Sequence, residues 1–415
     1  MNIDAGSTAF ILICSAFVFF MTPGLGFFYS GLERRKNAMN TIMSCFFICG
    51  LASFMWVAIG YSLSFGADHG GIIGDLRNVF LNSIHFTPND VYAAKIPEAL
   101  YAAFQMMFAI ITPALICGSL AGRMRFKALF AFIAVWSLIV YYPLAHMVWG
   151  DGGLIKELGA IDFAGGNVVH ISSGISGLVA CIMLGKRRGY GVVSYRPHNG
   201  TYVVLGAALL WFGWFGFNAG SALEANGLAV HAFLTTNTSA AAGLLSWMFL
   251  EKFLHKKATV IGAATGAVLG LVAITPGAGF VPIWASAIIG AVVCPISYFF
   301  MSVVKEKFKY DDALDAFGCH GIGGVWGGIA TGLFASKSVN SSIKWNGLFY
   351  GDFKLLLSQL LSILITIAIA AVGTFIIMFV LKKVMQVRVS PEDEAQGLDI
   401  TEHGESAYPA FNGLD

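Results

Sequence analysis

The chain has 415 residues, 57% of them hydrophobic and only 12% charged, with a mean hydropathy of +0.74, whereas soluble domains carry about 25% charged residues. No water-soluble fold could cover that much apolar surface. The net charge of +2 comes without any basic cluster interleaved with aromatics, which excludes a nucleic-acid partner.

In chain order, apolar stretches near or above the ~20 residues that cross a bilayer fall at about 7–32, 38–65, 98–122, 127–149, 163–185, 200–220, 229–254, 258–276, 282–304, 315–335 and 355–381. Met1 to Asp4 lacks the basic segment of a signal peptide, so the first span is expected to stay on the mature protein. The seven cysteines fall in or beside apolar segments, none as CxxC, and read as small core residues. The 49 glycines suit close helix packing in lipid. Eleven spans put the termini on opposite sides, which allows the loops to be sorted by Lys and Arg. Alternate loops collect nineteen of the 25 basic residues on one face and leave Arg77, Lys95, Lys156, Lys337, Lys344 and Lys354 on the other. The basic face is expected to be cytoplasmic, with the N-terminus outside and the C-terminus inside a plasma (inner) membrane.

Two stretches repeat. Asp162-Phe-Ala-Gly-Gly-Asn-Val-Val-His170 heads the fifth span, and Asp315-Ala-Phe-Gly-Cys-His320-Gly321 heads the tenth. From each His the chain reads His-x-x-x-Gly-(Ile/Val)-x-Gly-x-x-Ala, so Gly174, Gly177 and Ala180 match Gly324, Gly327 and Ala330. A fainter echo links Ile111-Thr112-Pro113 to Ile274-Thr275-Pro276. Five spans per copy is an odd number, so the second copy enters the membrane upside down, as in many transporters. The expected fold is an all-α polytopic membrane protein with eleven transmembrane helices, a five-plus-five inverted repeat and an extra C-terminal helix. The transmembrane domain takes residues 1–384: repeat one about 7–185, repeat two about 200–335, and the eleventh helix about 355–384, a brace around both. A polar tail, 385–415, docks on the cytoplasmic face or stays disordered.

Ionisable side chains inside a span are functional candidates. A lone His is more often a packing residue, but two at equivalent repeat positions point to a shared site near the midplane. Phe104, Phe108, Trp149, Trp211, Trp214, Phe215 and Phe217 are expected near the outward span ends, where ring faces attract small cations. Around the histidines Val, Ile, Gly and Ala offer an ion nothing. A cation-attracting mouth above a dry interior admits a cation and passes a neutral species, with imidazoles as proton acceptors and donors. Ammonium is a small cation that can lose its proton this way. Asp162 reads as a cation ligand or as a helix N-cap, the cap being favoured, and Asp315 reads more strongly as a cap.

Together with Trp214-Phe-Gly-Phe217-Asn218-Ala-Gly-Ser221 and the tail Gly397-Leu-Asp-Ile-Thr-Glu-His403-Gly404-Glu405-Ser-Ala-Tyr408, these motifs make the chain resemble the ammonium transporters of the Amt/Mep/Rh superfamily, on the Amt side, over essentially its whole length. The resemblance implies a homotrimer with one path per subunit. It implies an outer ammonium site at Trp149, Ser221 and Phe108, a gate of Phe108 and Phe217, proton-sharing histidines His170 and His320, and a mainly structural acid at Asp162. Gln105 and Asn218 sit beside these positions without a role. It further implies net ammonium uptake and a PII-type signalling protein at the cytoplasmic face, with no enzyme activity, metal or cofactor. Two departures are expected: Asp151 adds a charge near the mouth, and the cleavable leader of some bacterial relatives is not expected here. Other readings are an ammonium sensor acting through a bound partner, a passive Rh-like gas channel, and a haem protein with two histidine ligands.

Overall fold

The computed structural model describes residues 2–408. Among these residues, eleven long helices run between two faces: α1 (Ala5–Leu32), α2 (Arg35–Phe65), α3 (Glu98–Leu120), α4 (126–149), α5 (Gly166–Leu184), α6 (Gly200–Gly220), α7 (Gly227–His255), α8 (Val260–Ile274), α9 (Ile283–Phe308), α10 (317–334) and α11 (Lys354–Val384). Every stretch expected from hydropathy is present, with its ends moved by a few residues. Among the described residues, eight helices are long and apolar enough to cross a membrane. The other three are α7, whose buried Thr235, Thr236 and Ser239 lower its hydropathy, α10, and α8. At 15 residues, α8 is only about 22 Å long. It stops at Thr275-Pro276, where the chain turns back and the Pro276 carbonyl accepts the Phe163 amide. Its counterpart α3 runs on past Pro113, although Thr112 and Thr275 make the same bond, each hydroxyl donating to the carbonyl four residues earlier. The seven cysteines are free and buried.

The repeat is visible in how equivalent helices pair. Helices α1 and α6, the first of each copy, lie against each other through glycines. A side chain at Gly206 would strike the Phe28 backbone, and one at Gly216 would strike Cys14. Small residues let backbones approach this closely where lipid supplies no hydrophobic drive between helices. The fifth helices, α5 and α10, cross at the centre, with Gly174 against Gly321 and Gly324 against His170 and Ile171. This explains the repeated His-x-x-x-Gly pattern: each histidine stands one turn before the glycine that lets the partner helix in.

Helix α11 braces both copies. Its Gln359 accepts from the Ile161 amide at 2.8 Å and donates to the Ile161 carbonyl at 3.0 Å, while Ser358 donates to the Leu158 carbonyl at 2.8 Å. The few polar residues of this span therefore hold the segment that leads into α5.

On the basic face the inter-repeat loop is clamped to the loop before α10. Arg187 donates to Asp311 through Nη2 at 2.7 Å and Nε at 3.0 Å, and the Arg187 amide donates to Asp311 Oδ2 at 2.7 Å. Both side chains are buried. Burial alone would raise the Asp311 carboxyl, but the Arg187 hydrogen bonds and the Arg123 and Arg187 charges bring it below its ordinary value. A lowered carboxyl stabilises the fold above its unfolded value near pH 4 and loses that contribution as pH falls through the lower folded one. Asp311→Ala is expected to cost about 3 kcal/mol, because buried Arg187 loses its closest carboxylate and keeps only Glu33, at 3.5 Å. Thermal unfolding of the detergent-purified protein at neutral pH measures this, and an unchanged Tm would contradict it.

The tail docks through two short helices, α12 (Pro391–Gln396) and α13 (Leu398–His403). Asp399 accepts the Asn40 amide at 2.8 Å, Glu402 the Phe126 amide at 2.9 Å, and Glu394 the Arg188 amide at 2.6 Å. The Tyr408 hydroxyl meets His198 and Asn199. Of the expected 385–415 segment, residues 409–415 lie outside the described residues.

Candidate functional site

The path is built on the starts of α5 and α10. Each begins with a π-helical turn, Gly166–Ile171 and Phe317–Gly321, a widened geometry that recurs at functional positions. The His170 amide reaches back five residues to the Gly165 carbonyl at 3.1 Å. Gly165 itself turns in the left-handed region, φ +119°, where its missing side chain matters.

The Asp162 carboxylate accepts three amides at this start, Gly165 at 2.8 Å and Gly166 and Asn167 at 2.7 Å. Its oxygens are thus directed at backbone donors, and its own carbonyl accepts the Trp149 indole N–H at 2.9 Å. The capping geometry of Asp162 is therefore present. The cap expected at Asp315 is not. Asp312 takes that place, accepting Phe317 at 2.8 Å and Ala316 at 3.2 Å. Asp315 adopts φ +57° and pairs with Lys305 at 2.7 Å. The reason is register. Asp162 stands eight residues before its histidine, and Asp312 stands the same distance before His320; choosing the acid nearest the second histidine misses it.

The two imidazoles come together at the crossing, Nδ1 to Nδ1 at 3.3 Å, their rings near parallel with centroids 5.3 Å apart. Both residues are buried. A hydrogen bond at this separation needs one Nδ1 to carry a proton and the other to accept it. Trp214 and Phe217 stack beside the His170 ring, with centroids at 5.4 and 6.1 Å, and the Trp214 indole donates to Thr275 at 2.9 Å.

Above the histidines Phe217 meets Phe108, ring centroids 4.3 Å apart, and Phe108 meets Trp149 edge-on at 5.9 Å. Over this stack opens a cavity of about 210 Å³, lined by Phe104, Gln105, Phe108, Trp149, Ser221 and, at its rim, Lys156. The Ser221 hydroxyl donates to the Phe217 carbonyl at 2.9 Å, which leaves its lone pairs free to accept. Asn218 is turned away, donating to Thr236. On the far side of the pair a cavity of about 300 Å³ includes Phe28, Trp247, Val268, Asp315 and Cys319 in its lining.

Of the seven aromatics expected at the mouth, only Phe104, Phe108 and Trp149 line it. Trp214 and Phe217 lie deeper, against His170. Phe215 stacks on Phe233 of α7 at 4.1 Å, and Trp211 is half-buried outside the cavity lining. The pattern of α6 placed these rings on one helix but did not say which face each takes. Sequence reasoning missed Trp214 as a neighbour of the histidines, Asp312 as a cap, and Lys156 as more than a loop charge. Counting back from His320 by the spacing of the first copy would have found Asp312.

An inverted-repeat helical bundle with one cavity on either side of a buried aromatic stack and histidine pair has the architecture of a polytopic membrane transport protein. Comparison with known proteins names the family. The profile of the Ammonium Transporter Family matches residues 9–408. A Bacillus subtilis ammonium transporter is 51% identical over 97% of this chain and 98% of its own length. The Archaeoglobus fulgidus ammonium transporter Amt1 is 42% identical over 97% and 99%. The crystal structure of Saccharomyces cerevisiae Mep2 superposes with a TM-score of 0.90 at 34% identity, over 99% of this chain and 94% of that one. A structure described as a sensor Amt protein gives a TM-score of 0.88 at 28% identity, over 96% and 98%. This chain belongs to the ammonium transporter family.

Proposed function

We propose that this ammonium transporter recruits the ammonium ion at the Phe108–Trp149–Ser221 mouth, removes a proton, and conducts ammonia past the Phe108–Phe217 gate while the proton passes separately through His170 and His320. The observation that carries this reading is the 3.3 Å contact between the two Nδ1 atoms.

The Trp149 indole N–H is occupied by the Asp162 carbonyl, so the ring face remains for a cation, and Ser221 offers an oxygen. Beyond Phe108 an ion would lose its water with no charge to replace it, at a cost of several kcal/mol. Ammonia carries no such penalty. A neutral imidazole pair sharing one Nδ1 proton leaves one Nε2 as acceptor and the other Nε2 as donor. A proton taken by the acceptor, a shift of the shared proton and release from the donor moves one charge through the pair. The pair ends as the mirror tautomer, so another cycle requires a proton to pass from the first Nε2 to the second by a route other than the Nδ1 contact while the shared proton returns.

The nineteen basic residues on one face support a cytoplasmic placement of that face in a plasma membrane. The family resemblance supports a homotrimer. The docked tail offers a surface to a PII-type protein. Sensing is the second reading, favoured by the likeness to the structure described as a sensor Amt protein.

Proteoliposome uptake tests transport. The expected result is saturable ammonium entry with no potassium entry, because potassium has no proton to give up. Equal potassium entry would overturn the proposal, and no flux of either would favour sensing.

A further inference from the structure

We propose that the ε-ammonium of Lys156 is a tethered competitor at the cation mouth, and that Asp151 sets how often it occupies that place. This inference rests on the reading of the mouth given above.

Lys156 stands on the short helix Leu154–Glu157 that follows α4, and it lines the same cavity as Phe108, Trp149 and Ser221. A primary alkylammonium carries the charge and the N–H donors of ammonium itself, so whatever attracts ammonium there attracts the lysine. Lys156 is thus a cation of the substrate's own chemistry held at the entrance on a flexible four-carbon stem.

What draws it away is also present. The Asp151 carboxylate lies 3.7 Å from Lys156 Nζ. The Asp151 backbone is fixed, its amide donating to the Tyr92 hydroxyl at 3.0 Å, and Tyr92 stacks on Tyr101 at 5.4 Å beside the cavity. Both charged side chains are largely exposed, 43% for Lys156 and 70% for Asp151, so the pair is weak and exchanges with solvent. The tether therefore holds Lys156 for part of the time only. The charge that Asp151 adds at the mouth acts, on this account, through the lysine and not directly on the substrate.

A double-mutant cycle separates the two modes. Ammonium-dependent current is recorded against ammonium concentration for the full chain, K156M, D151N and the double variant. Both positions are exposed, and the Asp151 amide contact survives in D151N, so folding is not at stake. K156M is expected to lower the half-saturating ammonium concentration by about three- to tenfold, the size of a unit charge acting at contact range through a water-like medium. D151N is expected to raise it by a similar factor. In the double variant the D151N shift disappears, because the lysine it released is gone.

An undiminished D151N shift in the K156M background would overturn the tether and make Asp151 a plain attractive charge. An unchanged half-saturation in K156M would overturn the competitor. Loss of current in His170→Ala/His320→Ala under the same conditions shows that the reading of the pore stands, so a flat response to K156M then counts against this inference alone.

Discussion

Replacing His320 by alanine is expected to cut ammonium-dependent current by about 10²-fold or more, the range over which a positioned proton donor or acceptor contributes to a rate. His170→Ala is expected to do the same. The two effects are not additive, since each variant removes one end of the same Nδ1 contact, and the double variant should be about as impaired as either single one. His170→Gln is a sharper probe. The amide keeps polar atoms and most of the volume, but it cannot accept a proton on one nitrogen while releasing one from another. Rescue of current by glutamine would show that the imidazoles are only polar filling. The readouts are current after an ammonium jump and, in parallel, ammonia flux followed by a pH-sensitive dye.

The second large effect is expected at Asp162, for a different reason. Asp162→Ala strips the acceptor from three backbone amides at the head of α5. Hydrogen bonds to a charged group contribute about 1.5–3 kcal/mol each, and orphaned donors add their desolvation cost. A loss of about 4 kcal/mol or more is expected, and transport should fall with it. The coupling to transport is structural. The amide that Asp162 holds belongs to Gly165, whose carbonyl takes the His170 amide, and the Asp162 carbonyl takes the Trp149 indole. One side chain and its backbone therefore register both the mouth and the proton pair. Asp162→Asn keeps one acceptor oxygen and turns an N–H toward another N–H, so it should fall between wild type and alanine in Tm. Full stability in Asp162→Ala would contradict this account and reopen the cation-ligand reading.

Much of this architecture was legible in the chain because a bilayer constrains sequence severely. Hydrophobic length and loop charge gave eleven helices, and the oddness of five gave the inverted repeat. The spacing of His170 from Gly174 and of His320 from Gly324 was a packing signal before it was a chemical one, since each glycine is where the opposite helix crosses.

What the chain did not disclose depends on facing and register. Trp211, Trp214, Phe215 and Phe217 look alike on one apolar helix, yet only Trp214 and Phe217 face His170. Asp311, Asp312 and Asp315 lie within five residues and do three different jobs: clamping Arg187, capping α10, and pairing with Lys305. Nearness to the histidine does not divide such roles, whereas the eight-residue spacing shared by Asp162–His170 and Asp312–His320 picks out the cap. Helix α8 looked long enough to span, but it stops at Thr275 and gives its end to the Phe163 amide.

On the proposed mechanism a charge moves through the paired imidazoles while nitrogen crosses as ammonia. The measurement that tests it most directly is the current across a supported membrane after an ammonium jump, recorded for the wild-type protein and for His170→Ala/His320→Ala. The account predicts a current that saturates with ammonium in the wild type and is lost in the double variant. Current of undiminished size in the double variant would contradict it.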